Sequence, residues 1–300
     1  MANANPGLEY LNPATGKPFK AAVIMGTYNR GHLLRRSLEN YAMQTENDFY
    51  IHVFDDGSTD NTKELVRFEN TTFGLHIKYT RLEKQPGKWR DSASFINAGI
   101  AYALHVAKCP YIFITHPEII PGIALIETGI KYLQRPMKAR FNAKGYYLTI
   151  EQQKRINKVN LTLGLEQIRL LPNFYEENEK GNGNPDYTAR AIDRTLSWGS
   201  WIFGGFTADG WRDFGGVFES EAWGAVDVEM HDRAKALGYH TVTPQDIRAM
   251  VIHQNHDDPE TNVITPRNEE WRNALQGTKL ERRYHLISKE RWENMDYMPA

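Results

Sequence analysis

Cysteine occurs once in 300 residues, as Cys109, which excludes an intrachain disulfide and any multi-cysteine zinc site. An excess of one charge is also missing. Lys and Arg number 36 against 37 Asp and Glu, so the formal charge is −1. Bulk electrostatics therefore offer no hold on nucleic acid, which leaves only a local basic patch for such a role. No apolar run approaches the roughly 18 residues needed to span a bilayer, and the N-terminus lacks a signal-peptide pattern. A reducing cytoplasm is the expected location, with at most peripheral contact with a membrane. Neither GxxxxGK[ST] nor GxGxxG occurs, so a P-loop and a dinucleotide fingerprint are both absent. The chain does have 41% hydrophobic, 12% aromatic and 24% charged residues, the composition of an ordinary globular protein. Its length suits one large domain or two intimate ones.

Residues 1–18 are rich in Asn, Pro, Gly and Ala and read as an irregular opening segment. From Lys20 the pattern changes. Apolar runs at 21–25, 49–54, 76–81 and 111–114 read as strands, and 31–44, 59–68 and 93–106 have helical spacing. Strands alternating with helices predict βαβ units, hence a mostly parallel α/β sheet flanked by helices. After Pro136 this rhythm stops. Thr149 to Gln152 has the form of a capping box, and 172–187 is polar and rich in Asn, Gly and Glu, as expected of a surface loop. A second organised block runs from Trp198 to His256, and the tail from Asn268 is expected to be helical.

In an open parallel sheet, ligands bind beyond the carboxyl ends of the strands where the topology reverses. Three polar clusters follow expected strands: Thr27-Tyr28-Asn29-Arg30, Asp55-Asp56-Gly57-Ser58 and Thr115-His116-Pro117-Glu118. Asp-Gly-Ser alone is a common turn. Three such clusters at equivalent strand ends point to one cleft.

TYNR, a helix ending near Gln44, then a strand and DDGSTDNT together resemble the opening of family-2-type nucleotide-sugar glycosyltransferases with the GT-A fold. The likeness continues through Phe95–Ile100, Gly204-Gly205-Phe206 and Trp223-Gly224-Ala225-Val226-Asp227-Val228-Glu229, with Arg233 following. It covers about residues 20–135 and 198–256. The resemblance implies a nucleotide-sugar-binding half over 19–135, an acceptor-binding and catalytic half over 136–265, and a tail over 266–300.

By the same resemblance Thr27, Tyr28 and Asp56 hold the nucleotide, and Asn97 lies beneath the donor site. Asn29 and Arg30 hold the loop and the following helix start. Lys88 and Arg90, in a Pro-Gly loop, can meet a diphosphate with charge-assisted hydrogen bonds. Trp223, Gly224 and Glu229 fall on the acceptor side. Asp227 is the implied base, although Val226 replaces the acidic residue that usually precedes it. In a retaining enzyme Asp227 would instead position the acceptor. Trp198, Trp201 and Trp211 are assigned to packing.

The family's DxD motif, which holds Mn²⁺ or Mg²⁺, is missing, and THPE stands in its place. His116 and Glu118 offer an imidazole and a carboxylate, and His253 is placed as the family's later histidine ligand. That set suits Mn²⁺ better than Mg²⁺. The alternative is a metal-free site in which Lys88 and Arg90 neutralise the diphosphate. The implied partners are a nucleotide-sugar donor and a hydroxyl acceptor that is a glycan, a lipid-linked compound, a protein or another alcohol. Two other functions fit the architecture: a degenerate GT-A domain that binds without turnover, and a nucleotidyltransferase. The latter would want a glycine-rich basic loop after the first strand, which TYNR is not.

Overall fold

A computed structural model describes residues 10–83, 92–148, 150–158, 202–217, 226–244 and 246–256. The expected loop at 172–187, the capping residue Thr149 and the tail from 268 lie outside these. Residues 11–18, expected to be irregular, form a hairpin in which β1 (Leu11–Asn12) pairs antiparallel with β2 (Lys17–Pro18). Asn12 Nδ2 donates to Asp48 Oδ1 at 2.7 Å and ties it to the main body.

The alternating half follows the pattern of the sequence. In chain order it comprises β3 (Ala21–Thr27), α1 (Gly31–Tyr41), β4 (Phe49–Asp55), α2 (Thr62–Thr72), β5 (Ile77–Arg81), α3 (Ser92–His105) and β6 (Tyr111–Thr115). Then follow β7 (Ile119–Pro121), α4 (Leu125–Leu133), β8 (Ala139–Asn142), β9 (Gly145–Tyr147) and α5 (Ile150–Lys158). The last described elements are β10 (Phe203–Thr207), α6 (Ala208–Phe214), α7 (Val226–Ala236), β11 (His240–Val242) and β12 (Val251–His253). Among the described residues no helix is long and apolar enough to cross a membrane.

Seven strands form the central sheet in the order β11-β8-β10-β6-β3-β4-β5. β3 pairs in parallel with β4 and β6, and β4 with β5, while β10 runs antiparallel between β6 and β8. The rhythm lost after Pro136 is thus the chain extending the same sheet with short antiparallel and mixed strands. β3 is buried almost throughout because helices cover both faces, which is why it reads as an unbroken apolar run. Its alternation sorts the core: Ala22 and Ile24 join one cluster with Tyr50, Phe54 and Ile100. Val23 and Met25 join the other with Leu34, Leu38, Ile51 and Val53. Gly26 permits close packing at the end of β3, since a Cβ there would stand 2.0 Å from the Phe95 ring.

The chain passes from β3 outward to β5 and returns on the far side of β3 as β6. The reversal therefore falls between the carboxyl ends of β3 and β6. A second sheet, β7-β12-β9, sits at this end, with His253 opposite Ile119. α1 joins the two: Ser37 Oγ donates to Ile119 O at 2.6 Å and Gln44 Nε2 to Gly122 O at 2.8 Å.

Between α1 and α2 two buried carboxyls share one cation. Arg35 Nε stands 3.1 Å from Glu39 Oε1 and 3.8 Å from Glu69 Oε1. Burial and the charge of Glu39 push Glu69 up from 4.5 to about 7, with Arg35 pulling the other way. The folded state therefore prefers Glu69 neutral. Its contribution is fully present below the ordinary carboxylate value and is lost as pH rises through about 7. Allowing for screening, Glu69→Gln should stabilise the protein by about 1–2 kcal/mol at pH ~8 and by almost nothing at pH ~4. Melting curves at the two pH values check this, and equal midpoints at pH 8 would contradict it.

Candidate active site

The register Thr27↔Asp55 makes the TYNR and DDGST loops leave the sheet side by side, and they are clasped together. Asp56 N donates to Thr27 O at 2.9 Å, and Asn29 N to Ser58 Oγ at 2.9 Å. Thr59 N returns a bond to Asn29 Oδ1 at 2.8 Å. Asn29 has φ 51°, a left-handed conformation that Asn tolerates better than most residues. α1 begins at Gly31 without a local side-chain cap. Its first amide is taken instead by Asp60 Oδ2 at 2.9 Å, and Asp60 also accepts from Thr62 N at the start of α2. Burial would raise the Asp60 carboxyl, but the bonds from Thr62 and Gly31 hold it below its usual range.

Arg30 is partly buried and supplies the carbonyl that accepts from the amides of Leu33 and Leu34. Tyr28 remains 43% exposed at the mouth, while Asp56 is 6% exposed. Thr27 Oγ1 is buried and has no hydrogen-bond partner among the described residues. Asp55 supports the turn, accepting from Ser58 N at 2.7 Å and from the Tyr79 hydroxyl. Arg81 Nη2 donates to Ser58 O at 2.9 Å and braces the same turn from the end of β5. Neither Asp60 nor Arg81 carries a signal for these roles in the sequence alone. Asp60 lay within the quoted motif, but its two helix starts meet only in the fold.

At the neighbouring strand end the β7–β12 pairing sets His253 beside the turn that carries Glu118. His253 Nε2 is 3.5 Å and His256 Nε2 3.7 Å from Glu118 Oε1. Ligand atoms of all three residues lie within 4.8 Å of one another. Burial favours a neutral Glu118, yet hydrogen bonding from His253 and His256 and the charges of His253 and His116 hold its carboxyl well below the usual range. His253 Nδ1 is 2.8 Å from Gln254 O, a carbonyl that can only accept, so the ring proton sits on Nδ1. In neutral His253, Nε2 is then a bare lone pair facing a carboxylate oxygen. Two acceptors in that arrangement call for a proton or a cation between them, and the donor set of two imidazoles and a carboxylate fits a divalent ion. Of the three ligands expected from sequence, Glu118 and His253 meet. His116 is exposed and outside the triad, and His256 takes the third place.

Asn97, in α3, is buried, and its amide closes a two-way bond with Val217: Nδ2 to O and Oδ1 from N, both 2.7 Å. Arg233 donates to Phe214 O and Gly216 O at 2.8 Å each and lies 4.0 Å over the Phe214 ring. These contacts tie α7, whose first turn contains Asp227 and Glu229, to the loop after α6. Asp227 and Glu229 are two apart on this helix and do not share a face. Trp223, Gly224, Lys88 and Arg90 lie outside the described residues, as do the side chains of Asp227 and Glu229. Trp211 is a packing residue, fully buried with Nε1 donating to Ile112 O at 2.8 Å.

The family model for glycosyl transferase family 2 matches residues 22–188. Two relatives named validoxylamine A glucosyltransferase, from Streptomyces hygroscopicus subsp. jinggangensis (strain 5008) and subsp. limoneus, are each 26% identical over 235 residues, or 72% of this chain. The chain spans about half the length of these curated relatives, 51% and 48%. Among solved structures, a mannosyltransferase from Pyrobaculum calidifontis in complex with GDP-Man and Mn²⁺ superposes with TM-score 0.54 at 18% identity. That match covers 88% of this chain and 66% of the other. S. aureus TarS 1-349 in complex with UDP-GlcNAc gives TM-score 0.57 at 14% identity, covering 90% and 71%. At such identities these structures establish the fold, which is GT-A.

Proposed function

This chain belongs to glycosyl transferase family 2, and from that premise we propose that it transfers a sugar from a nucleotide-sugar donor to an acceptor hydroxyl. The observation that carries this is the convergence, at the reversal between β3 and β6, of the clasped TYNR and DDGST loops and the Glu118–His253–His256 triad. Tyr28 stacks on the base, Asp56 accepts from its imide, and Thr27 offers its hydroxyl and backbone at the strand end. Lys88 and Arg90 meet the diphosphate. Asn97 supports the donor site through its grip on Val217. Trp223, Gly224 and Glu229 face the acceptor, and Asp227 takes the proton of the attacking hydroxyl. Glu118, His253 and His256 would hold a divalent cation, with Mn²⁺ favoured over Mg²⁺ by the two imidazoles. Such an ion supplies positive charge to the departing nucleoside diphosphate.

A panel of UDP- and GDP-sugars, with and without Mn²⁺, tests the reading by thermal shift and donor turnover. A ligand that binds only the folded protein raises its midpoint by mass action. One donor should do so and should be transferred or hydrolysed. A shift without turnover would favour the binding-only alternative, and no shift with any donor would remove the reading.

Asp56→Ala should weaken nucleotide binding by about 1–3 kcal/mol, because a base imide would be left unpaired in a partly desolvated pocket. Calorimetry with UDP and GDP measures this. Unchanged affinity for both nucleotides would take Asp56 out of the site.

A further inference from the structure

Gln254 is fully buried, and every polar atom it possesses is engaged. Its amide N–H donates to Glu118 O at 3.1 Å, and its carbonyl accepts from His253 Nδ1 at 2.8 Å. Its side-chain oxygen accepts from Arg36 Nη1 at 2.7 Å. Its side-chain nitrogen donates to Leu33 O at 3.0 Å and Glu118 O at 3.2 Å. The orientation of this amide follows from chemistry, because a guanidinium can only donate and a carbonyl can only accept. The next residue is pinned as well: Asn255 N donates to Gln153 Oε1 at 3.0 Å and Asn255 Nδ2 to Leu148 O at 3.0 Å. Gln153 Nε2 bonds Asn157 Oδ1 at 3.0 Å, and Arg36 Nη2 reaches the same oxygen at 3.3 Å. The ring closes on itself, from Arg36 through Asn157, Gln153 and Asn255 back to Gln254.

We propose that Gln254, oriented by the buried guanidinium of Arg36, is the positioning residue that fixes the spacing of the Glu118–His253–His256 triad. One side chain holds the backbone of the carboxylate ligand, and its own carbonyl sets the tautomer of the first imidazole. The stretch it anchors delivers the second. A single displacement here moves all three donors. The ring also bolts the triad to α1, the helix that starts at the TYNR loop, so the two halves of the cleft share one rigid mount. In metal sites, losing a partner that orients a ligand typically costs about 10–100-fold in metal affinity. The proposal rests on the reading of the triad as a cation site.

The test titrates metal-free protein with Mn²⁺, without nucleotide, by calorimetry or by the resonance signal of free Mn²⁺. Gln254→Leu should bind Mn²⁺ roughly 10–100-fold more weakly than the wild type at temperatures where both are folded. Replacing both partners with apolar groups of similar shape can be nearly neutral for folding. The double variant Arg36→Met with Gln254→Leu leaves no unpaired buried guanidinium and should therefore regain part of the thermal midpoint without regaining Mn²⁺ affinity, and it serves if the single variant does not fold. Wild-type Mn²⁺ affinity in either folded variant would overturn the proposal. If the wild type itself takes up no Mn²⁺, the metal reading fails, and histidine ring resonances of metal-free protein decide the positioning role. Altered His253 and His256 signals in the variants support it, and unchanged signals overturn it.

Discussion

Asp227→Asn is expected to lower the rate of sugar transfer by roughly 10²–10⁴-fold, while donor affinity stays within a small factor. The substitution keeps the shape of the side chain and removes its ability to take a proton. The acceptor hydroxyl must then attack without a base, and the loss falls on kcat. Asp227 lies in the first turn of α7, a helix held in place by the two bonds from Arg233 to the Phe214 and Gly216 carbonyls. The loops proposed to hold the nucleotide follow β3 and β4, not α7, which is why donor affinity should survive. Initial rates together with donor calorimetry check both parts. Transfer near the wild-type rate would remove the base assignment. A rise in acceptor KM with kcat retained would instead identify Asp227 as an acceptor-positioning residue, as a retaining enzyme requires.

Much of the alternating β3–β6 region was legible because its signals are local. β3 is an unbroken apolar run ended by polar residues, and β4 repeats the pattern, so the two motif loops could be placed at one edge before any coordinates. Element ends were less legible. α2 begins at Thr62 rather than near Thr59 because Ser58 to Asp60 are spent on clasping the TYNR loop. The second sheet was not legible at all: β7, β9 and β12 have three residues each, too few to show a period.

That sheet builds the triad. Gln254 and Glu118 are 136 positions apart in sequence, and only the β7–β12 register makes them neighbours. The resemblance points to His253 as the later histidine ligand, at the close of an apolar run. His256 carried no local signal beyond being a histidine nearby. The THPE turn sets His116 where the resemblance expects a ligand, yet the turn leaves it exposed while Glu118 points towards the histidines. Asn97 illustrates the same point from the other side. The resemblance places Asn97 beneath the donor site, and the fold uses both ends of that amide to hold the Val217 backbone.

Glu118→Gln should reduce Mn²⁺ affinity by at least roughly 10²-fold, and transfer should fall with it. Glu118 is the only carboxylate in the triad, so the change removes its one negative charge while keeping its volume. The two imidazoles that remain face a neutral amide, and the histidine pair then carries any cation unaided. The low-lying carboxyl of Glu118 means that the wild-type charge is present throughout the neutral range, so the comparison needs no special pH. Exhaustive chelation should silence the wild type, and added Mn²⁺ should restore it. Glu118→Gln should stay silent at that Mn²⁺ concentration and recover only at much higher ones. The competing arrangement neutralises the diphosphate with Lys88 and Arg90 alone. It requires full activity in chelator and an unaltered Glu118→Gln enzyme. Those two results together would dismiss the metal and leave the glycosyltransferase reading standing on the β3 and β4 loops.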